Sequence, residues 1–485
     1  MTQNEIEASS VLVSPSIPVK VFFKSRAVPI NRENNKVTLA TTYENSNIYV
    51  YFRKYFPGCE FELVKISCDK LDEIIEYLFL EEELKELISK VKIENETYKT
   101  EKSNFVLKLL ELILKRAVEK KASDIHFEAF ETKAKIKFRL LGSLYEFVSF
   151  DMSVFESLVS RIKLSASMNV SEKRRPQDGS FSIKIEKREY DLRVSSLPTI
   201  WGESVVIRIL NKKDALTSLS KIGFSKELLY GVKKILNKSR GLFLSSGPTG
   251  SGKSTTLYAC LKELCHIENK IITVEDPVEY KLENVQQVQV NEKIGLSFAD
   301  ILKNILRQDP DIIMIGEIRD LKTLQIALKA AFSGHLVLST IHANDALGAI
   351  DRMVNLGIEP FMLSAVLAGV QSQRLIRINC PFCKERYLPK ESYLELISDK
   401  ITSNTQFYKS RGCIKCDMSG FYKREVIGEI FLNDENMEKL IIKGNRGDIK
   451  TYLKKINFKS MFEDGLGKVF EGKTTLEELM RVVNV

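Results

Sequence analysis

The spacing of apolar positions changes along the chain, and each change predicts a different block of structure. Residues 17 to about 90 alternate short β-type runs with polar turns and then enter a helical stretch. From residue 103, apolar side chains recur at helical spacing between Val106 and Ala117, and strand-like runs divided by turns follow. From about residue 226, strands and helices alternate, as is typical of a doubly wound parallel sheet.

These blocks predict three domains joined by two polar linkers. A chain of 485 residues is too long for a single hydrophobic core, which agrees with this division. The predicted segments are an N-terminal α/β domain at 1–90, a linker at 91–102, a second α/β domain at 103–215, a linker at 216–225 and a large α/β domain at 226–485.

A glycine-rich segment, GPTGSGKST, joins the apolar run GLFLSS to a helix-like stretch in the third domain. It fits GxxxxGK[ST] in the strand–loop–helix context that a phosphate-binding loop requires. Glycines let backbone N–H groups turn towards phosphate oxygens, and the helix dipole adds its positive end. Lys253 would neutralise the β- and γ-phosphates, and the Ser254 hydroxyl would ligate magnesium. The predicted nucleotide-binding residues are Gly247, Pro248, Thr249, Gly250, Ser251, Gly252, Lys253, Ser254 and Thr255.

Two strand-like runs after this loop end in carboxylates. The run IITV precedes Glu275, Asp276 and Glu279, and the run IIMI precedes Glu317 two residues later. Open parallel sheets bind ligands at the carboxyl ends of their strands, and an apolar strand that ends in an acid is the Walker B arrangement. A lone acid is usually a solvated loop residue, but two strand ends that both deliver acids favour a functional site.

Two histidines, His335 and His342, flank the next strand-like run, LVLSTI. A histidine beside a strand is more often a structural hydrogen-bonding residue than a catalyst, and neither lies at metal-ligand spacing. From the residues alone, both roles are equally open.

Four of the eight cysteines form two CxxC pairs, CPFC and CIKC, within a predicted subdomain at 378–430. Each pair supplies two thiolates from a tight turn, and two pairs complete a tetrahedral sulfur site for zinc. A redox CxxC is the alternative, but it does not account for a second pair. The predicted zinc ligands, in a structural role, are Cys380, Cys383, Cys413 and Cys416.

Composition and charge say little about the binding partners of the protein and more about its compartment. The net charge of +9 comes from 73 basic and 64 acidic residues, which is a weak bias rather than a nucleic-acid signature. No apolar run is long enough to span a bilayer, and the N-terminus lacks the features of a signal peptide. The remaining cysteines show no pairing pattern, which favours a reducing, cytoplasmic compartment.

The order of motifs resembles that of the ATPases of type II secretion systems and type IV pilus assembly. The phosphate loop, TVEDPVEY, DPDIIMIGEIRD and GHLVLSTIHAND correspond to the Walker A, Asp, Walker B and His boxes of that family. The likeness extends upstream through ASDIHFEAF and RRPQDGSF. It implies a RecA-like P-loop NTPase domain preceded by a smaller α/β domain and an N-terminal α/β domain, with a four-cysteine zinc subdomain. It also implies a hexameric ring that binds ATP between its two large domains.

The resemblance also implies roles for individual residues. Glu279 would orient or activate the attacking water, Glu317 would support magnesium and the γ-phosphate, and His342 would sense that phosphate. Arg193 and Arg208, from the domain before the phosphate loop, would stabilise charge on the phosphates. Arginine suits that role because its guanidinium is always charged and binds oxygens in a bidentate manner.

Strand alternation gives a separate expectation for these arginines. Arg208 shares a strand face with Val206 and Leu210, which predicts that it is partly desolvated and needs an anion. For Arg193, an ordinary solvated strand face is an equally good interpretation. One departure from the family pattern is Leu141, where an aspartate is usual, so a polar contact of the second domain is expected to be missing.

The resemblance implies partners as well: a homo-hexamer, a polytopic inner-membrane platform protein and a cytoplasmic recruiting protein bound through the N-terminal domain. The chain would be cytoplasmic and peripheral at the inner membrane.

A hexameric conjugation or nucleic-acid translocation ATPase is the alternative, but a single Trp and no basic–aromatic cluster argue against direct nucleic-acid binding. A regulatory module that binds ATP without hydrolysis is a third possibility, which Lys253, Glu279 and Glu317 disfavour.

Overall fold

In a computed structural model the chain divides into two compact units, Met1–Asn211 and Lys212–Val485. The structure describes residues 17–43, 47–97, 104–211, 218–266, 268–402 and 404–483. The predicted N-terminal domain and residues 103–211 of the predicted second domain fall in the first unit. Residues 212–215 of that domain and the predicted linker at 216–225 fall in the second unit. Residues 216 and 217 of that linker lie outside the described residues.

The first unit begins with a three-stranded sheet and three helices. Strand β1 pairs antiparallel with β2, and β2 pairs parallel with β3. The side chains of Phe22 and Phe52 are fully buried and stack with their ring centroids 6.3 Å apart. The elements are α1 (Val19–Ser25), β1 (Ala27–Glu33), β2 (Lys36–Thr41), α2 (Ile48–Arg53), β3 (Glu60–Lys65) and α3 (Cys68–Thr97).

Helix α3 runs well into the segment 91–102 that the sequence predicted as a linker. Its buried residues Leu84, Leu87 and Val91 continue one helical stripe and join the core of the following antiparallel sheet. The Lys92 ammonium also lies 2.7 Å from the Asp151 carboxylate. The linker prediction was therefore wrong up to Thr97, because charged side chains on the other faces hid the apolar stripe. Residues 98–102 lie outside the described residues.

A six-stranded antiparallel sheet with strand order β6-β5-β4-β9-β8-β7 completes the first unit. Helices α4 and α5 pack on one face of it and bury apolar residues from both layers. Along β9, Val205 and Ile207 point into this core, and the alternate residues Val206 and Arg208 are on the other face. The elements are α4 (Phe105–Glu119), β4 (Asp124–Ala129), β5 (Ala134–Leu140), β6 (Ser143–Phe150), α5 (Met152–Ser165), β7 (Gln177–Ile185), β8 (Arg188–Thr199) and β9 (Gly202–Asn211).

The second unit is built on a seven-stranded sheet with strand order β12-β11-β13-β14-β10-β15-β18. All neighbouring strands are parallel except β15 and β18. The buried runs of β10, β13 and β14 have helices on both faces, which confirms the predicted doubly wound arrangement. The elements up to β15 are α6 (Lys226–Leu236), β10 (Gly241–Ser246), α7 (Lys253–Leu264), β11 (Ile271–Glu275), β12 (Val285–Gln289), α8 (Phe298–Ile305), β13 (Ile312–Ile315), α9 (Leu321–Phe332), β14 (Leu336–Ile341), α10 (Ala346–Asn355), α11 (Pro360–Val366) and β15 (Leu367–Asn379).

A buried carboxylate joins this sheet to the C-terminal helices. Glu429, on β18, accepts a hydrogen bond from the backbone N–H of Ala346 at 2.7 Å and one from that of Met461 at 3.0 Å. These are the first residues of α10 and α15, so one side chain serves two helix N-termini. The elements after β15 are β16 (Lys384–Tyr387), α12 (Glu391–Glu395), β17 (Phe407–Ser410), β18 (Phe421–Leu432), α13 (Glu435–Lys443), α14 (Arg446–Lys455), α15 (Met461–Phe470) and α16 (Leu476–Val483).

Among the described residues, no helix combines the length and the apolar character that crossing a bilayer requires. The longest helix, α3, spans 30 residues, but charged side chains occur throughout it. The apolar stripe of α3 is used instead to pack against the antiparallel sheet of the first unit.

The first unit contains a buried ion pair whose loss should be costly. The Lys163 ammonium lies 2.8 Å from Glu203 and also donates to the carbonyl oxygen of Glu172. Both side chains are almost fully buried, so Lys163→Met would leave an unpaired buried charge and should destabilise the unit by about 3–5 kcal/mol. The double variant Lys163→Met/Glu203→Met should recover most of the thermal unfolding midpoint. A double variant no more stable than the single one would contradict this account.

Candidate nucleotide site

The glycine-rich loop leaves the end of β10 and turns into the N-terminus of α7. Gly247, Gly250 and Gly252 have φ angles of 147°, 78° and 88°, in the region that favours glycine. A Cβ atom at Gly247 would lie only 2.5 Å from the backbone oxygen of Gln373. The loop therefore tolerates no side chain at this point, and its backbone forms a cradle at the positive end of α7.

Lys253 is the first residue of α7, and its side chain folds back over the loop. Its ammonium donates to the carbonyl oxygens of Gly247 at 2.8 Å and Pro248 at 3.0 Å. Burial lowers the pKa of Lys253 to about 8, and the negative charge of Glu317 opposes that shift. A phosphate group bound in the cradle would compete with these carbonyl oxygens for the ammonium.

The Walker B carboxylate lies among charged side chains at the same edge of the sheet. Glu317 follows β13, and its carboxylate pairs with the guanidinium of Arg319. The imidazole of His342, directly after β14, is 3.6 Å from the other carboxylate oxygen. Burial and the nearby Lys253 lower the pKa of His342, which favours the neutral imidazole. The structure thus brings three predicted site residues, Lys253, Glu317 and His342, into one charged cluster.

The acids at the end of β11 differ in burial: Glu275 is buried, and Glu279 is half-buried. Glu275 is buried and accepts hydrogen bonds from Tyr258, from Thr273 at 2.6 Å and from Gln287 at 3.0 Å. Its carboxylate is therefore committed to holding the strand end together. Glu279 lies four residues further on, and its backbone N–H donates to the Tyr258 hydroxyl at 3.4 Å. The catalytic role predicted for Glu279 stays a prediction.

The first turn of α7 offers hydroxyl groups at the mouth of the loop. The side chains of Ser254 and Thr255 are exposed, whereas Thr256 is buried beneath them. Hydroxyl and carboxylate oxygens are hard ligands of the kind that magnesium prefers. Ser254 and Glu317 therefore supply oxygens that fit the chemistry of a magnesium–phosphate site.

His335 has a structural role. Its Nδ1 lies 2.8 Å from the carbonyl oxygen of Ala330 and 3.0 Å from the Ser333 hydroxyl, at the C-terminal end of α9. These contacts tie the turn after α9 to the start of β14. Of the two histidines left open by spacing alone, the structure thus places only His342 beside the Walker B carboxylate.

The two predicted phosphate-binding arginines are cross-strand neighbours in the first unit. Arg193 on β8 lies directly opposite Arg208 on β9. The Nε of Arg208 donates to the Asp124 carboxylate at 2.9 Å. The anion that pairs with Arg208 is therefore an aspartate of the same sheet. The predicted desolvation of Arg208 was wrong: its side chain is 63% exposed, because the core face of β9 is occupied by Val205 and Ile207. The phosphate contacts of both arginines stay predictions.

The four paired cysteines lie together at one end of the β15–β18 pair. Their sulfur atoms all lie within 4.8 Å of one another, and three of the separations are 3.8, 3.9 and 3.7 Å. A tetrahedral zinc–thiolate site with bonds of about 2.3 Å has sulfur–sulfur edges of about 3.8 Å. Burial raises the pKa of Cys380 to about 11. Burial also acts to raise the pKa of Cys416, but hydrogen bonds from the backbone N–H groups of Cys413 and Gly420, together with those of the thiols of Cys413 and Cys383, lower it overall.

Several residues that support the site received no role from the sequence, although Gln373 and Asp124 lie in stretches, QRL and ASDIHFEAF, that carry the family resemblance. Arg319 follows Glu317 by two positions and pairs with it. Its place in the Walker B segment could have indicated this pairing from the sequence. Gln371 and Gln373 are fully buried on β15, where two polar residues on the same face of a core strand were a sign of a special environment. Asp124 gave no signal, because its pairing with Arg208 depends on the neighbouring strand.

Comparison with known proteins places this site in a defined family. Residues 73–481 match the family described as type II/IV secretion system protein. The chain belongs to this family. It is 44% identical over 377 residues to the type II secretion system protein E of Pseudomonas aeruginosa, covering 78% of this chain and 75% of that protein. It is 39% identical over 487 residues to the type IV pilus assembly ATPase PilB of Myxococcus xanthus, covering 96% and 85% respectively.

Solved structures agree with the fold of this secretion ATPase. The pilus retraction motor PilT with bound ADP superposes with a TM-score of 0.52 at 25% identity, covering 77% of this chain and 96% of that one. The Legionella pneumophila ATPase DotB gives a TM-score of 0.59 at 19% identity, covering 79% and 97%. The family and these structures confirm the predicted fold class and show that the chain is an ATP-hydrolysing enzyme.

The lowered pKa of Lys253 predicts that nucleotide binding depends on pH. The ammonium must be protonated to pair with phosphate, so affinity for ATP should fall as the pH rises above about 8, by up to about tenfold per pH unit. Calorimetric titration between about pH 7 and 9.5 measures this. Lys253→Arg should bind with a flat pH profile, because a guanidinium stays charged throughout. Equal slopes for the two proteins would contradict the assignment.

The sulfur cluster predicts that removing two of its members abolishes metal binding. Cys380→Ser with Cys413→Ser leaves two thiolates, so the purified protein should lose bound zinc and soluble yield, as measured by atomic absorption and chromatography. Cys68→Ser is the control, because Cys68 is exposed in the first unit and should leave the zinc content unchanged. Full zinc content in the double variant would show that other residues are the ligands.

Proposed function

We propose that this secretion ATPase is the motor that powers assembly of pilin or pseudopilin filaments at the inner membrane. The observation that carries the proposal is the cluster of Lys253, Glu317 and His342 beside the phosphate loop, in a chain 39–44% identical to secretion and pilus-assembly ATPases. The cluster supplies ATP hydrolysis, and the relatives indicate the machinery that uses it.

In the proposed mechanism, the loop backbone and Lys253 bind the β- and γ-phosphates of ATP. Ser254 would ligate magnesium, which when bound neutralises charge on the phosphates. Glu317 would orient the water ligands of that ion, and Arg319 holds Glu317 in place. Glu279 would orient or activate the attacking water, which then adds to the γ-phosphorus as the bond to ADP breaks.

Two further groups would respond to the terminal phosphate. Burial lowers the pKa of His342, which favours the neutral imidazole, and the ring lies beside Glu317. Its ring N–H would donate to a phosphate oxygen and so report whether that oxygen is present. Arg193 and Arg208 of the first unit would stabilise charge on the phosphates. Arg208 would exchange its bond to Asp124 for one to phosphate, which its exposure permits.

The proposed assembly is a homo-hexameric ring that works with a polytopic platform protein. The N-terminal residues 1–90 would bind a cytoplasmic recruiting protein, which would hold the ring peripherally at the inner membrane. Zinc on the four cysteines would have a structural role, because four protein thiolates leave no coordination position for a substrate. Hydrolysis by the ring would transmit force to the platform.

The test of this function is selective stimulation of ATP hydrolysis. A soluble cytoplasmic fragment of the platform protein from the same cells should raise the hydrolysis rate of the purified ring, and single-stranded DNA should not. The rate of phosphate release is measured with the platform fragment and with single-stranded DNA at the same ring concentration. The comparison shows which of the two stimulates hydrolysis. Stimulation by DNA alone would support a nucleic-acid translocation ATPase instead and would overturn the proposal.

Replacement of the Walker B acid should separate ATP binding from turnover. Glu317→Gln retains the side-chain shape but loses the charge that orients water at magnesium, so kcat should fall by at least about a hundredfold. ATP affinity should change much less, because Lys253 and the loop backbone remain. Glu283→Gln, at an exposed acid of the same unit, is the control and should keep full activity. Unchanged turnover in Glu317→Gln would remove Glu317 from this role.

A further inference from the structure

Beneath the phosphate loop, the core of the second unit contains a chain of fully buried polar side chains. Ser245 on β10 donates to the side-chain oxygen of Gln371 at 3.1 Å, and the Gln371 amide donates to the side-chain oxygen of Gln373 at 2.8 Å. The Thr256 hydroxyl, on α7, donates to the same oxygen at 2.8 Å. Polar groups are costly to bury, so a chain of them beneath a binding loop calls for a functional explanation.

The chain ends on the loop itself. The side-chain N–H group of Gln373 donates to the backbone carbonyl oxygen of Ser251 at 2.7 Å. A carbonyl oxygen only accepts hydrogen bonds, so the amide of Gln373 has one possible orientation, with its nitrogen towards Ser251. Gln373 therefore holds a loop carbonyl with its donor and the first turns of α7, through Thr256, with its acceptor.

We propose that Gln373 is a positioning residue that sets the direction of the phosphate-binding backbone. The Ser251–Gly252 peptide is planar and trans, so its N–H group points opposite to its C=O group. Because Gln373 holds the Ser251 carbonyl towards the strand, the N–H of Gly252 is turned away from the strand and into the cradle. This inference rests on the proposed use of the loop to bind ATP.

Residue Gln373 also packs closely against the loop glycines. A Cβ atom at Gly252 would lie 3.1 Å from the side-chain nitrogen of Gln373. The backbone oxygen of Gln373 would lie 2.5 Å from a Cβ atom at Gly247. Two of the three loop glycines with positive φ thus face the same residue of β15, which fixes the loop through both its backbone and its side chain.

The two substitutions of Gln373 that separate positioning from packing are Gln373→Glu and Gln373→Met. Glutamate keeps the volume and both accepted hydrogen bonds but cannot donate to Ser251 when ionised, and methionine keeps the volume alone. Both should weaken binding of ATP and ADP by about ten- to a hundredfold, measured as Kd by titration, with KM raised in parallel. The kcat value should change by less than about threefold, because the groups around Glu317 are untouched.

The control is Ser372→Ala, at the equally buried residue between the two glutamines, which should leave Kd and KM unchanged. If Gln373→Met does not fold, Gln373→Glu carries the test, because it retains the bonds to Gln371 and Thr256. Wild-type Kd values in either folded variant, or a loss confined to kcat, would overturn the inference.

Lys253→Ala distinguishes failure of this inference from failure of the proposed function. If Lys253→Ala loses nucleotide binding but the Gln373 variants do not, only the positioning role is wrong. If Lys253→Ala binds ADP like the wild type, the loop is not the nucleotide site, and the proposed function fails with it.

Discussion

The turn from β10 into α7 imposes the constraint on which the rest of the second unit depends. Its backbone must leave N–H groups available to a ligand while its carbonyl groups are satisfied from within. Glycine provides the conformations, but it does not hold them. The carbonyls of Gly247 and Pro248 are bound by Lys253, and that of Ser251 is bound by Gln373. The parallel sheet then brings the acids and the histidine of neighbouring strands to the same edge.

Support for this edge comes from the C-terminal part of the chain as well as from the nucleotide-binding strands. Strand β15 carries Gln373 and runs on to Asn379, directly before Cys380 of the sulfur cluster. Its partner β18 carries Glu429, which binds the first backbone N–H of α10, close after His342. The cysteine subdomain and the C-terminal helices are thus connected to the nucleotide site through two adjacent strands.

Much of this architecture could be predicted from the sequence, because its signals are local. The glycine loop, the apolar strands ending in acids and the two CxxC pairs each lie within about ten residues, and the family resemblance fixed their order. The end of α3 was misjudged because its buried stripe is narrow and surrounded by charge. The environment of Arg208 was misjudged because alternation shows which residues share a face but not which face meets the core. The Gln373 contacts depend on strand order, which only the fold reveals.

In the proposed site, ATP phosphates bind to the loop backbone and replace the loop carbonyls as partners of Lys253. A structure of the protein with a non-hydrolysable ATP analogue and magnesium tests it most directly. The account predicts the terminal phosphates in the loop, the Lys253 ammonium moved from Gly247 and Pro248 onto them, and the Gln373 bond to Ser251 retained. An analogue bound elsewhere, or Lys253 still on the two carbonyls with the nucleotide present, would contradict it.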